Sequence, residues 1–256
     1  MDSDIRSLVR DDNSFEYSWH VRYSEVGHRG VMTLPALVNA FQDCSTFQSE
    51  VLGVGMEWLK REHRAWFLTH WQIVIDRYPA LCESVTVGTF ATSFKGVTGR
   101  RNFYLKGADG SLIARADSTW AFLDLASGRL AKPDERHVAP YGSHEPLPMP
   151  RESRRINMPE QLERREPLAV GRGLIDTNEH VNNCQYIQIA LDQLPREVLP
   201  SQVRVDYRKA AVLGDTLHPA VGQLDGNTVV ELADESGSPY AVIEFSGTDE
   251  RSAAPI

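Results

Sequence analysis

One order of elements occurs twice in this chain. An alternating apolar stretch, a polar turn and an amphipathic helix lead into several strand-like runs; a proline-rich break follows, and the order returns. In the first copy Phe15, Tyr17, Trp19 and Val21 alternate with polar residues, the pattern of a half-buried strand. Thr33 suits a helix N-cap and Pro35 the first helical turn. Leu34, Leu37, Val38 and Phe41 then fall at i, i+3, i+4 and i+7, which predicts a helix fading before Gly53. Residues 58–66 read as a charged connector. Strands are expected over 67–76, 84–94, 100–105 and 112–123, with Gly96, Gly99, Gly107 and Asp109-Gly110 marking turns.

The break runs from Lys132 to about Pro167, where Pro133, Pro140, Pro146, Pro148, Pro150 and Pro159 are scattered among charges. Some helix is expected near 159–163. Beyond it come a short strand over 168–174, a polar loop, a helix over 183–194 ended by Pro195, and strands at 203–207, from Gly214, at 229–232 and at 240–245. Residues up to about Asn13 read as a loose leader, and 252–256 as a frayed tail. The expected division is residues 12–132, a linker over 133–166, and residues 167–248.

Strand, long helix, then several antiparallel strands is most simply an α+β architecture: a sheet wrapped around one central helix, built twice. The copies agree in pattern and not in identity. Aligned by eye, Glu25 pairs with Asp176, the 34–41 helix with 183–194, and Glu83-Ser84-Val85 with Asp215-Thr216-Leu217. Glu25-Val26-Gly27-His28-Arg29 then stands where the second copy has Asp176-Thr177-Asn178-Glu179-His180. That asymmetry implies a division of labour: a cavity in one half, chemistry in the other.

Asp176, Asn178 and His180 put a carboxylate, an amide and an imidazole at alternate positions. In an extended segment alternate side chains leave on one side, so the three would face a common volume. The helix after them has Asn182 or Asn183 as its N-cap, and amides near Val181–Asn183 suit an oxyanion. The plain alternative is that Asp and Asn here simply make turns and caps. Cys184 lies four residues beyond His180; it is either a nucleophile beside that imidazole or a small buried helix residue. His28, His63, His70 and His137 lack metal-like spacing and read as surface or structural; no metal or organic cofactor is expected.

The string Asp176-Thr177-Asn178-Glu179-His180-Val181-Asn182-Asn183-Cys184-Gln185-Tyr186 resembles the D-x-N-x-H-V-N-N-x-x-Y segment of plant and bacterial acyl-acyl carrier protein (acyl-ACP) thioesterases. Three further stretches are similar to that family: residues 69–79, 118–122 and 205–209. Together they cover most of residues 17–245. The resemblance implies a double hotdog, two antiparallel sheets each wrapped around a central helix. It also implies hydrolysis of fatty acyl-ACP to free fatty acid and ACP in fatty acid biosynthesis, with Asp176, Asn178 and His180 catalytic. It further implies an acyl pocket in the first half from Val38, Phe41, Met56, Trp58, Trp66 and Phe67, residues that core packing explains equally well. The family's glutamate after Tyr-Arg-Arg or Tyr-Arg-Lys is missing, because Tyr207-Arg208-Lys209 runs into Ala210 and Ala211. Then His180 with Asp176 suffices, another acid such as Glu179 or Asp206 substitutes, or turnover is slow.

A net charge of -8 argues against a general nucleic-acid binder, and no apolar run is long enough to span a membrane. Three cysteines and a charged Met1–Arg6 start point to a reducing, cytoplasmic setting. An acidic carrier protein would need a local basic patch. Lys60, Arg61 and Arg64, Arg100 and Arg101, or Arg151, Arg154 and Arg155 could supply one. The rival readings are an acyl-CoA thioesterase with the same chemistry and a non-catalytic acyl-binding protein. A monomer or a homodimer fits either way.

Overall fold

The computed structural model describes residues 8–247, which form two compact units. The first takes 8–68 and 75–150; the second takes 69–74 and 151–247. The 133–166 stretch is therefore divided between them at Pro150. The far part of the expected leader and the whole of the expected tail lie outside the described residues.

In the first unit β1 (Phe15–His20), β2 (Arg64–Ile75), β3 (Ser84–Lys95), β4 (Thr98–Gly107) and β5 (Leu112–Asp124) are the long strands. The β1, β3, β4 and β5 strands pair in that order, all antiparallel, and β6 (Arg129–Leu130) adds to β5. Helix α1 (Leu34–Val51) packs on this sheet and buries Leu34, Leu37, Val38, Phe41 and Cys44, the expected stripe. Thr33 Oγ1 caps it by accepting the Ala36 N–H at 3.3 Å. Gly53, at φ 77°, closes it, and Val54 N–H reaches back to the Ser49 carbonyl at 3.0 Å.

Residues 58–66 are not a connector. Helix α2 (Met56–Arg61) and the start of β2 occupy them, joined through His63 at φ 54°. In the stretch after Lys132, helix α3 (Glu135–Val138) is capped by Asp134, and His137 and Tyr141 are buried.

The second unit is built on the Thr69–Val74 part of β2. It pairs with β9 (Gln202–Tyr207), His70 opposite Asp206 and Val74 opposite Gln202. The sheet continues antiparallel through β12 (Pro239–Ser246), β11 (Asn227–Ala233) and β10 (Thr216–Leu224). The short strands β7 (Glu163–Arg164) and β8 (Leu168–Ala169) pair with β10; β7 begins at the last residue of the 159–163 stretch where some helix was expected, and none forms there. A Cβ on Gly222 would meet the Gln161 carbonyl at 2.6 Å, so only glycine lets that segment lie so close. Ile156 is fully buried against Val229 and Val242. Helix α4 (Asn183–Asp192) buries Tyr186, Ile187 and Ala190 against β11 and β12.

Candidate active site

The 176–180 segment is a closed turn, not an extended one. Ile175 bridges Val181. Inside that bridge Asp176 N–H donates to the His180 carbonyl at 2.8 Å, and Glu179 N–H to the Asp176 carbonyl at 3.1 Å. Asp176 Oδ1 accepts the Asn178 N–H at 2.8 Å. A short carboxylate that bonds the backbone two residues on favours a turn over a strand, so strand alternation cannot bring the three side chains together. The turn leaves Asp176 and His180 half-buried at its ends and Asn178 exposed at its tip.

The first unit repeats this turn bond for bond. Gly27 N–H donates to Val31 at 3.0 Å, Gly30 N–H to Gly27 at 2.9 Å, and Thr33 N–H to Glu25 as Asn182 N–H does to Leu174, both at 2.9 Å. The structural equivalents of Asp176, Asn178 and His180 are thus Gly27, Arg29 and Val31. The sequence pairing of Glu25 with Asp176 is two residues out, because an acid was matched to an acid without counting back from the helix cap; Glu25 is the counterpart of Leu174. The corrected register deepens the asymmetry: the first copy has none of the three polar groups.

Asn182 is the N-cap of α4, its Oδ1 accepting the Cys184 N–H at 2.9 Å. Two of the amides expected to face an oxyanion are already committed, Val181 N–H to the Ala211 carbonyl and Asn182 N–H to the Leu174 carbonyl, each at 2.9 Å. Cys184 is buried at the start of the helix, as a small packing residue would be.

The segment after β9 lies beside His180, which bridges Val212. Ala210 is exposed, and nothing in its position supplies the absent carboxylate. Asp206 pairs with Arg208 at 3.0 Å, and Glu179 sits on the turn itself. Two tyrosines brace this corner and were not expected to do so. Tyr186 Oη accepts the Ala211 N–H at 2.8 Å, and Tyr207 Oη donates to the Asn183 carbonyl at 2.8 Å. Burial pushes the Tyr186 phenol up to about 12 and that of Tyr207 well above its usual value, so both stay neutral hydrogen-bonding groups. The place of Tyr186 at the end of the H-V-N-N-x-x-Y string was the available signal for it.

The six expected pocket residues lie in the first unit. Val38 and Phe41 are fully buried on α1, Phe41 against Phe103 at 5.3 Å between ring centres. Trp58 and Trp66 join one aromatic group, Trp58 on His137 at 5.0 Å, His137 on Phe122 at 4.8 Å and Phe122 on Trp66 at 4.7 Å. Phe67 is half-buried and Met56 exposed. Of the basic candidates, Arg101 is buried and donates to Gln48 Oε1 at 2.7 Å, which removes it from any docking surface. Arg64 and Arg100 are paired with Asp124 and Asp117.

In each unit antiparallel strands carry a helix with a polar turn at its start, which is the arrangement of a tandem hotdog protein. The chain belongs to the acyl-ACP thioesterase family: the family's N-terminal domain matches residues 12–141 and its C-terminal domain residues 159–246. Among curated proteins it is 28% identical over 227 residues to a chloroplastic acyl-[acyl-carrier-protein] hydrolase of Cuphea viscosissima, covering 80% of this chain and 54% of that one. It is 26% identical over 276 residues to the oleoyl-ACP thioesterase of Coriandrum sativum, covering 98% and 70%. The chain spans about half the length of the first curated relatives it matches. The solved acyl-ACP thioesterase of Bacteroides thetaiotaomicron has the same fold, at TM-score 0.83 and 23% identity over 92% of this chain and 98% of that one. So does the 12:0-ACP thioesterase of Umbellularia californica, at 0.81 and 17% over 91% and 96%.

Proposed function

We propose that this chain hydrolyses fatty acyl-ACP thioesters to free fatty acid and ACP, in fatty acid biosynthesis. The observation that carries the reading is the turn of residues 176–180, which places a carboxylate, an amide and an imidazole where the first copy has Gly27, Arg29 and Val31. An imidazole can take a proton from water near neutral pH, so His180 is the base. The activated water attacks the thioester carbon, and the Asn178 amide donates to the carbonyl oxygen as charge develops on it. Collapse breaks the C–S bond, and the departing thiolate recovers the proton from His180. Asp176 fixes the turn through Asn178. Trp58, Trp66 and Phe67 are the pocket residues with ring surface to offer an acyl chain, beside Val38, Phe41 and Met56.

Two further parts of the reading have narrower support. Cys44, Cys82 and Cys184 are all free, which suits a reducing, cytoplasmic setting, and no helix among the described residues is long and apolar enough to cross a membrane. The exposed Lys60, Arg61, Arg151, Arg154 and Arg155 remain as cations for an acidic carrier. Ala210 favours a rival, an acyl-binding protein that does not turn over. Rates on acyl-ACP and acyl-CoA of matched chain length decide among the three. Hydrolysis faster on ACP and lost in His180→Ala is expected. Equal rates in wild type and His180→Ala remove the assigned base, and co-purified acyl chains with no cleavage favour the rival.

A further inference from the structure

The two copies solve the same corner of the fold with different residues. Val181 N–H donates to Ala211 in the second unit as Met32 N–H donates to Pro79 in the first, at 2.9 and 2.8 Å. Arg208 and Lys209 N–H both turn to the Tyr240 carbonyl as those of Asp76 and Arg77 turn to Ile113. Counting from these bonds, Tyr186 stands where the first unit has Leu37, Tyr207 where it has Ile75, and Tyr240 where it has Ile113. Three aliphatic core residues in the copy whose turn carries Gly27, Arg29 and Val31 are three tyrosines in the copy whose turn carries Asp176, Asn178 and His180.

Each hydroxyl is spent on the wall beside His180. Tyr186 Oη takes the Ala211 N–H, a donor the first unit lacks because proline stands there. Tyr207 Oη holds the carbonyl of the first α4 residue, Asn183. Tyr240 Oη donates at 3.0 Å to Asp215 Oδ2, which also accepts the Val212 N–H at 3.0 Å. In the first unit Glu83 caps Ala80 in the same way at 3.0 Å. A buried phenol is costlier than leucine or isoleucine unless its oxygen is bonded. The first unit shows that the loop closes without these hydroxyls, so closing the loop is not what calls for them.

Resting on the thioesterase reading, we propose that Tyr186, supported by Tyr207 and Tyr240, is a positioning residue for the hydrolysis. It holds Ala211 and Val212, the segment that fixes Val181 and bridges His180, so that the imidazole meets the thioester at a set angle. The hydroxyl touches no reacting atom; it acts through the Ala211 amide.

The test is Tyr186→Phe, which keeps the ring and deletes the hydroxyl, assayed on acyl-ACP beside wild type, His180→Ala and Tyr104→Phe. The last loses an equivalent hydroxyl, bonded to Glu16, in the first unit. Tyr186→Phe is expected to lower kcat by about 10–100-fold with KM within about twofold, the size of effect a displaced catalytic group produces. Val181 amide exchange should speed up with it, and Tyr104→Phe should match wild type. Adding Ala211→Pro, the first unit's own solution, removes the orphaned N–H and is expected to restore kcat. An unchanged kcat in Tyr186→Phe, where wild type is active and His180→Ala is not, overturns this inference and leaves the thioesterase reading standing. A fall in kcat that Ala211→Pro does not repair also overturns it. Wild type no better than His180→Ala removes the thioesterase reading and this inference together.

Discussion

Glu179 stands in the left-handed backbone region at φ 62°, at the turn position that Gly30 occupies at φ 70° in the first unit. A residue with a Cβ costs about 1–2 kcal/mol there, and glycine gives back about 0.5–1 kcal/mol in unfolded-state freedom. Glu179→Gly is therefore expected to stabilise the protein by roughly 0.5–1 kcal/mol, a rise in Tm of about 2 °C for a chain this long. Thermal melts check it; a lower Tm would mean that the glutamate side chain holds the turn by a contact of its own.

Ala210 is exposed directly after Tyr207-Arg208-Lys209, so a longer side chain there meets open space. A well-placed acid or base contributes about 10²–10⁴ to a rate. Ala210→Glu is expected to raise kcat on acyl-ACP by at least about tenfold. Initial rates at saturating substrate decide it, and no gain would show that His180 and Asp176 already suffice.

The caps Thr33 and Asn182 occupy equivalent places before α1 and α4. Replacing either with alanine is expected to cost about 1 kcal/mol by denaturant melts. Only Asn182→Ala should also slow hydrolysis, because the Asn182 side chain it removes caps the helix start two residues beyond His180. Equal slowing by Thr33→Ala would contradict this.

His70 is buried on β2 opposite Asp206, and its pKa is pushed down to about 4. Burial is the main cause; Arg204 and Arg154 push the same way, and Asp206 opposes them. The folded state then binds fewer protons than the unfolded chain between about pH 4 and 6.5. Stability from this group is complete above the upper value and is lost as pH falls toward the lower, by on the order of 3 kcal/mol in all. His70→Gln is expected to flatten the wild-type slope of stability against pH in that window. Parallel slopes would show that carboxylates alone set the acid limit.

Much of this architecture was legible where one local rule decides. The α1 stripe, the Thr33 cap, the strand runs and the recurrence of Glu83-Ser84-Val85 as Asp215-Thr216-Leu217 depend on periodicity and short-range chemistry. Residues 58–66 were misread because Lys60, Arg61, Glu62 and Arg64 hide a one-turn change from helix to strand at His63. The 159–163 stretch was misread because a strand as short as β7 exists only through its partner β10. In the site, the residue identities were legible and the geometry was not. Alternation suggested a strand, whereas Asp176 bonds its own backbone. The Tyr186 hydroxyl serves an amide 25 residues away, a relation that no window along the helix contains.

The strand that runs from Arg64 to Ile75 lends its middle to the other unit. A gene cut between Pro150 and Arg151 would therefore not yield two tidy halves. The trailing piece would lose Thr69–Val74 and leave Gln202–Tyr207 as a bare edge, the kind of surface that recruits further strands and ends in aggregates. Anyone wishing to express the reactive half alone must carry that borrowed strip along, stitched ahead of it.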